Sequence, residues 1–302
     1  MRATTRRLGH GVVLQHPRAE EASAFDIELR AWQQAIRQDI VFTGITAARV
    51  HGLWLPPLDD NIPLWAEGWE RTARPERRQI IATRHPTTAP STSVRGIRVA
   101  PVPQTILGCA RDLELLDLVP IVDHALSLKL ATRRELEDVA RQRRRGAPLM
   151  RVAIKLADRR SESPMETLLR VFHVMSDVPV TPQVNLCDEK GMFVARADLL
   201  IDGTCTLQEY DGEGHLRRDQ YRDDRHRDSR LVTSGFVRHG YTSHDVTRDY
   251  QRILLHADLA LAREHDPTRL SSWRQLLAAS TRTATGRERL RYRIERRLAA
   301  HS

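Results

Sequence analysis

The chain has 302 residues, is 40% hydrophobic and carries a formal charge of +9. That length supports a substantial core and suggests two domains. No apolar run approaches the eighteen residues a membrane span requires, and the basic start is followed only by Val12-Val13-Leu14, too short for the apolar part of a secretory signal. Cys109, Cys187 and Cys205 are odd in number and lack metal-ligand spacing, which fits a cytoplasmic protein with free thiols. Only Lys129, Lys155 and Lys190 are lysines; the other cationic residues are arginines, concentrated in Arg133–Arg160 and in residues 268–302, where nine arginines face Glu288 and Glu295. Clustered arginine favours phosphate contacts, although a solvated helix face would look the same.

In chain order, Phe25, Leu29, Trp32 and Ile36 recur at helical spacing within Glu20–Gln38. A short helix over Thr43–Leu53 ends at Gly52 and Pro56-Pro57. His51 reads as a packed helix-end residue rather than a ligand. Ile62–Trp65, Arg78–Thr83 and Val94–Ala100 have strand character between turn residues. Helices follow over Thr105–Leu113, Leu115–Leu130 and Thr132–Arg145, with Thr132 and Glu135 spaced as a capping box. Gly146-Ala-Pro148 interrupts the pattern before a helix to about Arg160.

Arg160–Pro164 marks a domain junction. Ser163-Pro164-Met165-Glu166 opens a helix to about Met175: Ser163 caps it, Pro164 takes the first turn, and Glu166 stands where a capping box would close. Strands are predicted near Thr181–Cys187, Phe193–Ile201 and Cys205–Tyr210, then a charged helix over Leu216–Ser234, a strand over Phe236–Tyr241 and a helix over Val246–Glu264. The resulting division is an α+β domain over 1–160, an α/β domain over 161–267 and an arginine-rich helical tail over 268–302, whose basic face would add DNA affinity.

Asp202-Gly203 is a hairpin signal. With a two-residue turn between Ile201 and Thr204, Asp198 falls opposite Leu207, and alternation puts Glu209 and Asp211 on the same face. Asp198 and Glu209 are then diagonal neighbours, roughly 7–8 Å apart between backbones. Three carboxylates on one face repel each other unless a cation neutralises them. Oxygen ligands at this density suit Mg²⁺ or Mn²⁺, and the alternative is pairing with Arg196, Arg217 or Arg218. His215 stands close enough in sequence to shuttle a proton.

Residues 163–248 resemble the domain family related to very-short-patch repair endonucleases, within the PD-(D/E)XK nuclease superfamily. The resemblance lies in Ser163-Pro164-x-Glu166 with Arg170, in Ala197-Asp198-Leu199, in Glu209-Tyr210-Asp211-Gly212 with His215, and in Asp224-x-x-Arg227 with Leu231 and Gly235. It implies a restriction-endonuclease-like sheet flanked by helices, metal ligation by Asp198 and Glu209, and Glu166 as an outer-sphere acid, although Glu166 and the Asp224/Arg227 pair each fit a purely structural role. Two positions depart from the pattern. Asp211 replaces the superfamily lysine, and Gly240 stands where an arginine is expected, with Arg238 two residues earlier. The first half, through Phe42–Pro56, Val94–Val99 and Pro103–Ala110, is similar to proteins related to type IV antitoxins of the abortive-infection kind. The combined expectation is a Mg²⁺- or Mn²⁺-dependent endonuclease acting on DNA in defence or repair. The alternatives are a non-catalytic nucleic-acid-binding regulator and an antitoxin with a toxin protein as partner.

Overall fold

The computed structural model describes residues 5–9, 12–15, 23–35, 40–69, 80–85, 88–212 and 229–299. His215, Asp224, Arg227, Arg217, Arg218 and most of the helix expected over 216–234 lie outside them. The protein is α/β, with two mixed sheets flanked by helices, and no helix among the described residues is long and apolar enough to cross a membrane.

The first half contains a hairpin of β1 (Thr5–Gly9) and β2 (Val12–Gln15), helix α1 (Ala24–Ala35), β3 (Val41–Phe42), α2 (Gly44–Val50), β4 (Leu64–Trp69), β5 (Ile80–His85), β6 (Thr92–Val94) and β7 (Ile97–Val99). Strands β3 to β7 form one sheet in the order β5-β4-β3-β7-β6, with β4 parallel to β5 and β3 parallel to β7. The strand expected over Val94–Ala100 is therefore a hairpin. Arg95 and Gly96 both take positive φ, 49° and 74°, which matches the twist of a two-residue turn. Arg95 is held there by Asp26 of α1, whose carboxylate accepts its Nε at 2.7 Å. His51 ends α2 with its Nε2 2.8 Å from the Ala100 carbonyl oxygen, the packed helix-end position.

Four helices follow: α3 (Val102–Cys109), α4 (Leu115–Ser127), α5 (Arg133–Ala140) and α6 (Ala147–Leu156). α2 and α3 cross closely at Gly108, where a Cβ would lie 2.7 Å from the Gly44 nitrogen. Thr132 and Glu135 form the expected capping box of α5. Pro148 begins α6 rather than breaking a helix: it lies in the first turn, where a missing N–H costs nothing.

The second half comprises α7 (Pro164–Met175), β8 (Val180–Cys187), β9 (Phe193–Ile201), β10 (Thr206–Tyr210), the end of a helix at 229–233 (α8) and β11 (Val237–Tyr241). Its sheet order is β11-β10-β9-β8, antiparallel except for the parallel pair β10–β11. Helices α9 (Ser243–Thr247) and α10 (Tyr250–Ala260) divide what reads in sequence as one helix, because Thr242 and Asp245 cap α9 as a separate turn. A 3-10 turn at Pro267–Leu270 leads to α11 (Ser271–Ala279) and α12 (Ala284–Ala299).

One apolar core runs through both halves, from Ile45, Ile81 and Ile106 past Leu118 and Ile121 to Leu168, Phe172, Leu199, Tyr241 and Trp273. A buried polar knot sits within it. Asp123 of α4 accepts from Arg170 at 2.8 Å, from the Thr167 hydroxyl at 2.7 Å and from the Asp158 backbone at 2.8 Å. Burial pushes its carboxyl above the usual range despite the Arg170 charge. Such a group is tolerable inside only because these donors reach it. Arg170, named above as part of the family resemblance, thus ties α7 to α4.

The tail is also tied inward. Arg291, Arg293 and Arg297 of α12 pair with Asp59, Glu114 and Asp112, Arg287 donates to the Thr281 carbonyl, and Arg269 pairs with Asp258. At the start of this segment, Ser280 and Thr281 bond the buried Asp117 of α4. Much of the positive charge of residues 268–302 therefore neutralises carboxylates of the same chain.

Candidate active site

The site is built on the middle of the four-stranded sheet. β9 and β10 pair at Leu207↔Leu200 and Gln208↔Leu199. The pairing is displaced by two residues from the register expected in sequence, which set Asp198 opposite Leu207. The Ile201–Thr204 turn does form, with the Thr204 N–H on the Ile201 oxygen at 3.2 Å. The Thr204 hydroxyl then donates back to Ile201 and accepts from the Thr206 backbone, so Thr204 and Cys205 stay out of the ladder. Continuing the observed register places Asp198 directly across from Glu209. A displacement of two residues keeps every side chain on its expected face, so Asp198, Leu207, Glu209 and Asp211 still share one.

The paired ladder ends there. Asp198 Oδ2 accepts the Tyr210 N–H at 2.9 Å, so its carboxylate closes the gap where the two strands part. Glu209 is buried, and its Oε2 accepts Arg238 Nε at 2.6 Å. Arg238 Nη2 also bonds Asp211 Oδ1. The cation paired with these acids thus comes from β11. Arg196 instead bonds Glu162 at 2.6 Å. Parallel pairing of β10 with β11 sets Leu207 beside Arg238 and Glu209 beside Gly240, so the arginine reaches forward along the strands to both acids. The Asp211 carboxylate occupies the space over Gly240, where a Cβ would fall 1.8 Å from Oδ2.

Glu166 stands apart from this group. The Ser163 hydroxyl accepts the Glu166 N–H at 3.1 Å, as a helix cap should. The Glu166 carboxylate does not close the box onto Ser163; it accepts the Glu162 N–H at 2.9 Å and Gln183 Nε2 at 3.0 Å. Gln183 lies on β8 between the pairs Pro182↔Leu199 and Val184↔Ala197, which puts it beside Asp198. It adopts φ 55°, rare for a non-glycine residue, and its Oε1 is buried without a hydrogen-bond partner. Gln183 therefore bridges the α7 acid to the strand acids. Sequence reasoning missed it, because no spacing rule marks a left-handed residue inside a strand.

Among the described residues no three His, Cys, Asp or Glu side chains converge as a metal-binding group. The two facing carboxylates nevertheless fit Mg²⁺, which binds through one or two carboxylates and keeps several waters. The buried carbonyl of Gln183 is an additional hard oxygen beside them. Comparison with known proteins adds no relative: no family model matches the chain, and no curated protein or solved structure matches it.

Proposed function

We propose that the second half is a restriction-endonuclease-like domain and that the protein is a cytoplasmic, Mg²⁺- or Mn²⁺-dependent nuclease that hydrolyses phosphodiester bonds in DNA. The observation that carries this reading is the placement of Asp198 and Glu209 across from each other where β9 and β10 part, with Asp211 and Arg238 adjoining. The order helix, three strands, helix end, strand, helix around this sheet supports it.

In this reading Asp198 and Glu209 are the metal ligands. The metal, when bound, supplies a water of lowered pKa and polarises a phosphate oxygen. The Tyr210 N–H fixes one Asp198 oxygen, so the other is presented in a defined direction. Glu166 acts at one remove, orienting Gln183 beside Asp198. A proton-transfer role for His215 belongs to this proposal as well.

The decisive experiment is cleavage of plasmid and single-stranded DNA with Mg²⁺ or Mn²⁺ by the wild type, Asp198→Asn and Glu209→Gln. Loss of cleavage in both variants, each still folded, supports the reading; full activity in either refutes it. One observation favours a second reading, a nucleic-acid-binding regulator without chemistry: Arg238 already neutralises part of the acidic group. Absence of cleavage by the wild type, with DNA binding retained, would establish that alternative.

A further inference from the structure

The described acids Asp198, Glu209 and Asp211 hold three negative charges, and Arg238 supplies one positive charge against them. The remaining charge matches one divalent ion, so an arginine and a metal can occupy the site together. The arginine is also placed to do more than pair. Its side chain keeps 26% of its surface exposed, whereas Glu209 beneath it keeps 4%. A guanidinium is planar, carries five N–H donors and matches phosphate geometry. Two buried or anchored acids below and solvent above describe a cation aimed outward.

Asp211 is what aims it. Its carboxylate can lie over β11 only because residue 240 has no Cβ; an alanine there would overlap Oδ2 at 1.8 Å. From that position Asp211 holds Nη2 while Glu209 holds Nε, fixing the guanidinium plane from two directions. Asp211, Gly240 and Arg238 thus form one unit, and Asp211 serves it as a positioning residue.

We infer that Arg238 is the phosphate-binding cation of this site, carried on β11 beside Glu209 and oriented by Asp211 in the space left by Gly240. The ligand class is a backbone phosphate of nucleic acid. The inference rests on the nuclease reading for its chemistry, but the phosphate contact can be measured without turnover.

The test uses the full chain as wild type, Arg238→Met, Arg238→Lys and Gly240→Ala. DNA binding is followed by fluorescence anisotropy with Ca²⁺ in place of Mg²⁺, across a range of salt concentrations, and Mn²⁺ binding by electron paramagnetic resonance. Removing one phosphate contact should reduce the slope of log affinity against log salt by about 0.9 in Arg238→Met, while Arg238→Lys keeps the wild-type slope. Mn²⁺ should bind Arg238→Met roughly tenfold more tightly, because a cation no longer competes for Glu209. Gly240→Ala, which keeps the charge but displaces Asp211, should lose part of the slope. A slope and a Mn²⁺ affinity both unchanged in Arg238→Met overturn the inference, even if the wild type cleaves DNA. A wild type that shows the contact but never cleaves leaves the inference standing and removes the nuclease reading. A wild type that binds neither DNA nor Mn²⁺ removes both.

Discussion

Each mixed sheet carries a buried glutamate paired with arginine, and the two centres differ in the sign of their excess charge. In the first, Glu67 of β4 accepts Arg111 Nη1 and Arg144 Nη2 on the same oxygen, each at 3.0 Å, and Arg144 extends to His85 at 3.5 Å. One carboxylate meets two guanidiniums. In the second, Glu209 and Asp211 share Arg238, with Asp198 alongside. There the acids outnumber the cation. A centre with its acid saturated by arginine needs nothing further and ties β4 to the loops after α3 and α5. A centre with acids in excess stays compact only with another cation, which makes it the better candidate for binding a metal.

That contrast sets the largest expected effect. Glu67→Gln leaves two guanidiniums facing one another with little solvent, and should destabilise the protein by roughly 3–5 kcal/mol. Glu209→Gln should change stability by no more than about 1 kcal/mol, since the amide oxygen still accepts from Arg238 and repulsion among the acids falls. Urea unfolding of both variants, without metal, measures the difference. Equal losses would mean that both centres are structural pairs, and the distinction drawn here would collapse.

Gly240→Ala should cost about 1–3 kcal/mol through the overlap with Asp211. The same substitution in an Asp211→Ala background should cost much less, because the overlapping carboxylate is gone. A double-mutant cycle tests this coupling, and additive losses would show that the strand, not Asp211, rejects the methyl group.

A third centre sharpens the comparison through pH. Burial alone would raise the Asp258 carboxyl, but hydrogen bonds from Arg269, Arg263 and His265 outweigh it and hold it below the usual range. A depressed folded-state value contributes stability above the unfolded-state pKa, and that contribution disappears as pH falls through the folded-state value. The wild type should therefore lose stability below about pH 4, and Asp258→Asn should flatten that limb of the curve. Thermal melts between pH 2.5 and 7, values chosen to bracket about that carboxylate range, measure it. An unchanged acid limb would remove Asp258 as its source.

The smallest effects belong to the tail. Arg291 and Asp59 are both half-exposed, so Arg291→Ala should shift stability by less than about 0.5 kcal/mol. Arg297 reaches the buried Asp112, which also accepts the Trp65 indole N–H at 2.9 Å, so Arg297→Ala should cost more. Similar values for the two would mean that α12 is held by its apolar edge, Leu290 and Ile294, rather than by its charges.

Residues 163–264 show how far local pattern reaches. Ser163 caps α7, β9 and β10 alternate with period two, and Asp202-Gly203 makes a turn, all visible in the sequence because each depends on near neighbours. Alternation also protected the most useful expectation: the actual register differs by two residues, yet the carboxylates stay on one face. The exclusion of a helix able to cross a membrane rests on the same kind of local information. What the sequence could not fix were contacts made across the fold. Arg238 lies 29 residues from Glu209 and reaches it only through parallel pairing of β11 with β10. Gln183 bridges Glu166 to the strand acids through a left-handed backbone. The tail arginines meet acids more than a hundred residues earlier in α4 and its flanking loops. Periodicity and caps are properties of consecutive residues, so composition and spacing determine them. Which arginine neutralises which carboxylate depends on strand order and helix docking, and only the folded core brings those partners within reach.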